Sequence, residues 1–488
     1  MENQDKKPNI IAIIGAIVLL VLAVVGLSYA FFSAFIKNGE TDPSIEGTGA
    51  NLSLVYTDGK SVITSSNIMP GWSATKTFTV TNNGEADTYY KLNISSITNE
   101  FVDGGLTFSI ASADGGTSVA EQAVGTTTRT ISPSITIAEG ATHTYTVTAK
   151  YINLNTDQTP DLGKSFSYTI GIEASQKPTF KDIILANNEV KTPITTPGAA
   201  VSTSSEALLA SAEDDYGTSY YFRGAVTNNY VEFANKCWRI VRIGGDNTVK
   251  LILHNDNISN ASNPCSSANN STTAAFVHYD GNIYKSEFNS NYNDNAYVGF
   301  MYGTPGSTTY EATHANTNKS TILTNLETWY NNNLKTYESV IDNNVFCNDK
   351  SLSSGSGYSA NATDYAARER LYTSKIPSLK CNGELSKITS KIGLITADEL
   401  AFAGYAVRGY ITTSYLKENA TGYSWWSLSP AGFYNKSLSY VFRVRSDNDA
   451  IDICNVNVDS SVRPVISLVS SITISGGTGT SEDPYIVK

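Results

Sequence analysis

Thr75–Thr81 reads TKTFTVT, inside the longer block PGWSATKTFTVTNNGEADTYYKL at Pro70–Leu92. Phe78 and Val80 point to one face and the threonines to the other, the period-2 pattern of a strand buried on one side only. The pattern recurs on both sides of the block. Leu92 and Ile94 alternate with Asn93 and Ser95, then follow Leu106, Phe108 and Ile110 in LTFSI, and Ile135 with Ile137. Tyr145, Val147 and Ala149 repeat it in TYTVTAK, and Phe166, Tyr168, Ile170 and Ile172 close the series in SFSYTIGIE. Turn residues separate the runs: Asn82-Asn83-Gly84, Asp103-Gly104-Gly105, Asp114-Gly115-Gly116 and Glu139-Gly140. Short strands at this spacing, with no helical period between them, predict an antiparallel two-sheet sandwich over 37–175.

N-terminal to it, Ile10–Ile36 carries no charged side chain and follows Lys6 and Lys7. As a helix this run would reach about 40 Å, against about 30 Å for a bilayer's hydrocarbon core. The expectation is a cytoplasmic stub and membrane helix or signal over 1–36, with the remainder outside the cell. Two fates compete: a retained single-pass anchor, with the membrane as partner, or cleavage after Ala30, where Ser28 and Ala30 supply small residues, and secretion.

The GLSYAFFSA end of the apolar run, the Pro70–Leu92 block and the closing YTIGIEA resemble camelysin/TasA-type surface and biofilm-matrix proteins of Gram-positive bacteria. That resemblance implies an Ig-like or jelly-roll module able to self-associate by lending a strand to a neighbour.

Residues 176–211, rich in Pro, Thr, Ser and Ala, read as a linker. Composition then shifts: all five cysteines and every tryptophan except Trp72 lie beyond it, with many Asn/Ser-rich loops. Cys237–Ile243 (CWRIVRI) and Val249–Leu253 (VKLIL), joined through Gly244-Gly245-Asp246, read as a hairpin. Thr321–Tyr337 places Ile322, Leu326, Trp329, Tyr330 and Leu334 on one helical face. Thr396 followed by Glu399 is a capping box opening a second helix, which Gly404 ends. Strands are expected at Tyr423–Leu428, Ser439–Arg445, Ala450–Val456 and Arg463–Val469. The fold expected for the whole chain is mixed: an N-terminal transmembrane helix, an all-β sandwich, then an α+β, loop-rich display domain over 212–488. Ordered blocks from Ala212–Phe233 through WWSLSP (Trp425–Pro430) and VRPVISL (Val462–Leu468) to GTGTSEDPYIV (Gly477–Val487) resemble an uncharacterised surface-protein domain of gut-dwelling Gram-positive bacteria. More distantly, the closing strands resemble C-type-lectin-like and sulfatase-modifying-factor-like folds. Such a fold implies displayed loops and transfers no activity. The cysteine pair of the sulfatase-modifying enzymes has no counterpart here, since Cys454 stands alone near the C-terminus.

In an exported domain Cys347 and Cys381 are expected to pair. Cys237, Cys265 and Cys454 contain one further pair and leave a thiol over. His143, His254, His278 and His314 lack metal-ligand spacing, and no phosphate loop or nucleophile elbow occurs. No catalytic residue, metal site or cofactor is therefore assigned. The net charge of −11 lacks the basic footprint of a nucleic-acid binder. Ligand contact is assigned to Trp426, as an aromatic platform beside Trp425 with the alternative that packing covers both rings, to Arg443 and Arg445, which share a strand face, and to Asp447, Asn448 and Asp449 in the loop that follows. Asp447, Asp449 and Asp452 read as a polar turn in preference to a Ca²⁺ site. The expected function is non-enzymatic attachment or recognition of a glycan or surface protein at the bacterial cell surface. The alternative is a subunit of an extracellular matrix fibre.

Overall fold

A computed structural model of the chain describes residues 54–58, 68–84, 87–102, 104–175, 177–201, 205–408, 413–434, 437–447 and 449–488. They form two compact units, the first ending at Lys177 and the second beginning at Pro178.

The first unit is a β-sandwich. One sheet runs in the order β1 (Leu54–Asp58), β2 (Trp72–Asn82), β8 (Thr142–Tyr151), β4 (Leu106–Ser112), β5 (Val119–Ala123). In the other, β3 (Thr88–Asn99) pairs with β9 (Phe166–Ser175) and with the short strands β6 (Arg129–Thr130) and β7 (Ile135–Ile137). The alternating residues converge as the period demands: Phe78, Val80, Leu92, Ile94, Phe108, Ile110, Ile137, Tyr145 and Ile172 share one core. Each such side chain contributes about 1.5–3 kcal/mol by leaving water. A polar clamp joins the sheets inside that core: Tyr90 Oη lies 2.6 Å from Tyr145 Oη and 2.7 Å from His143 Nδ1.

The second unit is built on two seven-stranded sheets. The first has the order β10 (Ala207–Asp214), β11 (Gly217–Gly224), β13 (Lys236–Ile243), β12 (Tyr230–Phe233), then Tyr485–Ile486; β14 (Val249–Asn255) pairs with β13 and with Val465–Leu468. The second orders Lys285–Ser286, Ser460–Ser461, Trp425–Tyr434, Thr363–Tyr365 and Leu352–Gly355, with Leu438–Val444 and Ile451–Asn455 added beside Trp425–Tyr434. Trp238, Trp329, Trp425 and Trp426 all belong to the shared core. Residues 178–201, within the stretch expected to be a linker, contribute a helix at Phe180–Asn187, whose Phe180 and Ile184 are buried in that core.

Two expectations are corrected. Ile10–Ile36, on which the membrane helix rests, lies outside the described residues. Among the described residues no helix is long and apolar enough to cross a membrane. The longest of these, Thr321–Asn333, has 13 residues, about 20 Å. The transmembrane element therefore leaves the fold assignment, and single-pass or cleaved-and-secreted localisation leaves with it. The α+β assignment also changes, because the described residues are mostly β, with 39% strand against 14% helix. Both expected helices form but stay short. The first stops at Asn333, whose side-chain amide donates to Trp329 O at 2.9 Å, and Lys335–Tyr337 tightens into a 3₁₀ turn. The second, Ala397–Phe402, carries the expected Thr396–Glu399 capping box. It ends before Gly404, whose φ of +112° and contact with Val201 leave no place for a Cβ.

Candidate functional site

The expected ligand residues divide into a buried group and a surface loop. Trp425 and Trp426 point to opposite faces of one strand, and both are fully buried. Trp426 Nε1 donates to Ser286 O at 2.7 Å, and its ring meets Phe288 edge-on at 5.9 Å. The aromatic-platform role of Trp426 is thereby corrected, because both faces of this central strand are covered. Arg443 is half-buried, with Nη1 donating to Ser460 Oγ at 3.1 Å.

Arg445 opens the loop. It donates Nε to Asp447 at 2.9 Å, makes a second bond to the same carboxylate, and reaches Asp452 at 3.1 Å. Burial pushes the Asp452 carboxyl up, but hydrogen bonds from Tyr372, the Ile453 amide and Arg445 outweigh it and hold the pKa below its usual value. Asp449 adopts a φ of +50° and pairs with Lys417 at 2.8 Å. Asn448 lies outside the described residues. The loop is thus cross-braced by its own ion pairs, and among the described residues no cluster of His, Cys, Asp and Glu could hold a metal ion.

The braced loop abuts an aromatic surface that sequence reasoning missed. Ser446 N–H donates to Ser424 Oγ at 3.1 Å, which ties the loop to the residue after Tyr423. Tyr423 is 36% exposed; Phe276 meets it edge-on at 6.2 Å, and Lys285 Nζ lies 5.3 Å from its ring centroid. Lys285 in turn follows Tyr284, whose ring packs edge-to-face on Tyr279 at 4.8 Å; Tyr279 is 37% exposed. The sheet fixes these parts: Lys285 pairs with Ser461, and Ser461 pairs with Trp425. Tyr279, Tyr284, Lys285 and Tyr423 come from segments about 140 residues apart, so no local period announces them. The only sequence signal is a high tyrosine count, 29 against 17 phenylalanines.

A second constellation is buried beside the Cys347–Cys381 disulfide, which forms as expected; Cys237–Cys265 is the other bridge, and Cys454 carries none. A β-bulge between Ile240 and Arg242 re-aims Arg242. Its guanidinium bonds Glu399 at 2.9 Å and Asp214 at 2.8 Å. Gly245 permits this approach: its N–H donates to Asp214 at 3.0 Å, and a Cβ there would lie 2.5 Å from the same carboxylate. Lys250 reaches Glu399 at 2.6 Å, while Arg370 forks onto Asp398 and reaches Asp349 at 2.7 Å. Burial alone would raise the Glu399 carboxyl, but the charges of Lys250 and Arg242 bring it down to about 2. Burial pushes the Lys250 ammonium down. Arg242, Lys250, Asp349, Arg370, Asp398 and Glu399 line a cavity of about 30 Å³, room for about one water molecule. Every charge named has an opposite charge beside it, so the cluster's evident work is to lock the loop closed by Cys347–Cys381 onto the Ala397–Phe402 helix.

The chain therefore combines a β-sandwich with a disulfide-braced, two-sheet unit displaying a tyrosine-rich surface. No protein-family model and no curated protein matches it. Among solved structures, a ruminal GH26 endo-beta-1,4-mannanase is similar over 34% of this chain and 31% of that one, at 16% identity and a TM-score of 0.15. The chain thus spans about a third of that enzyme, and a likeness at this score carries no argument about fold or activity.

Proposed function

We propose that this is a non-enzymatic attachment or recognition protein, working in the oxidising setting that favours its two disulfides. Its contact surface is formed by Tyr279, Tyr284, Lys285 and Tyr423 with the Arg445–Asp449 loop, and its ligand is an extracellular glycan. The observation carrying this reading is the exposed tyrosine group set on a rigid sheet beside an ion-paired loop. Tyrosine offers a flat apolar face with a polar tip and loses little rotamer freedom on contact, which suits it to polyhydroxylated and protein surfaces alike. The braces on the loop reduce the ordering cost of binding.

The test is retention of the full chain on immobilised mucin glycans and bacterial wall polysaccharides. Binding to at least one is expected, and Tyr279→Ala with Tyr423→Ala should weaken it about tenfold or more, on the scale of about 1–2 kcal/mol for losing interface aromatics. Absence of binding to every polymer, or full binding by the double variant, overturns the reading.

A further inference from the structure

Arg239 and Arg463 lie fully buried on either side of Tyr415 and Leu416. Arg239 donates to Asn229 Oδ1 and Val226 O, each at 2.7 Å, and to Glu418 at 2.9 Å, while lying 3.7 Å from the Tyr230 ring centroid and 5.2 Å from that of Tyr415. Arg463 donates to two backbone carbonyls, Leu253 O at 2.8 Å and Leu416 O at 2.6 Å, and sits 5.1 Å from the Trp425 ring centroid. Among the described residues no carboxylate pairs with Arg463. The nearby Glu418 is committed to Arg239, to Tyr230 Oη at 2.6 Å and to Asn270 at 2.8 Å.

The charges do not balance. Arg239 and Arg463 remain cationic at any ordinary pH. Burial, then the two guanidinium charges, push the His254 imidazole well below its usual value, so it adds no charge. Burial likewise raises the Tyr405 and Tyr415 phenols, so neither supplies an anion. One positive charge is left in the interior, where isolated charge is costly. Three donors, Arg463 Nη2, Trp425 Nε1 and Tyr415 Oη, are also buried without hydrogen-bond partners. The arginine and tryptophan groups can only donate. A water would accept at most two bonds and bring no charge, whereas an anion accepts from several donors and neutralises the excess.

We infer that a small monovalent anion of the halide class binds between Arg463, Tyr415 and Trp425 and completes this part of the core. The site is independent of the tyrosine surface and of any glycan bound there.

The test uses the full chain in chloride–gluconate mixtures at constant ionic strength. Raising chloride from 1 to 100 mM is expected to lift the melting temperature of the second unit by ~2–5 °C, through ligand linkage, with bromide acting alike. Tyr415→Phe, which keeps the ring against Arg239 and removes only the hydroxyl, should at least halve that shift. Chloride-35 NMR should show line broadening by the protein that bromide relieves. Equal melting in chloride and gluconate, an undiminished shift in Tyr415→Phe, or no chloride broadening each overturns the proposal.

Discussion

Glu399 does three jobs with one carboxylate: it caps the Ala397–Phe402 helix, receives Lys250 and receives Arg242. Replacing it with Gln retains an oxygen for the Thr396 N–H but deletes the charge between two buried cations. The expected cost is about 3–5 kcal/mol, the scale for stranding a buried partner, read as a fall in the denaturant midpoint of the second unit. Thr396→Ala removes only the cap and should cost about 1 kcal/mol. If the two variants cost the same, the ion pairs contribute nothing beyond the cap. The pH signature separates the roles further. Because the folded carboxyl sits at about 2 against 4.5 unfolded, its contribution is fully present above pH 4.5 and is lost as pH falls through about 2. That amounts to roughly 3 kcal/mol across the window, and Glu399→Gln should flatten this part of the acid limb.

At the level of elements, each disulfide adds a covalent tie beside a strand pair: Cys347 sits at the end of the Asn344–Cys347 strand that pairs with Lys387–Ser390, and Cys237 lies in β13 beside β14. Cys347–Cys381 spans 34 residues and encloses Asp349 and Arg370; Arg370 pairs with Asp349 inside the loop and with Asp398 outside it. Cys237–Cys265 spans 28 and ties β13 to the turns after β14. Replacing either pair by alanines should lower stability by about 3–4 kcal/mol on the loop-entropy account. Loss of the first should also speed proteolysis within residues 348–380, and an unchanged cleavage rate would show that the strand pair at its base and Arg370 hold the loop without the disulfide. The strands were readable wherever one face is buried, because TKTFTVT and LTFSI repeat at period two and nothing else in folding has that period. The Thr396–Glu399 cap was readable because its partners are three residues apart. The platform reading of Trp426 fails, and the packed alternative holds, for the converse reason: on a strand covered on both faces, alternation does not say which side meets solvent. Tyr423 meets the Tyr279–Lys285 segment, and Arg242 meets Glu399, only through tertiary contacts across 130 residues or more, and no window of sequence contains both halves.

Across the whole molecule, three buried histidines share one electrostatic sign. In the sandwich, burial lowers His143, against the smaller opposing pull of Asp114. In the second unit, burial and the arginines lower His254, while burial and then Lys350 bring His314 down to about 3. A histidine depressed in the folded state stabilises above its unfolded value, near 6.5, and the benefit shrinks as pH falls toward the folded value. His314 alone would forfeit up to about 3 kcal/mol between pH 6.5 and pH 4. Both units should therefore melt at progressively lower temperature below pH 6.5, well before Glu399 begins to titrate. The second unit should fall more steeply, because two of the three histidines lie within it. His143→Gln removes the titrating ring from the Tyr90–Tyr145 clamp and should flatten the sandwich's profile between pH 6.5 and 4 while leaving the other unit's slope unchanged. A sandwich that keeps its slope in that variant would place its acid sensitivity in the carboxylates instead.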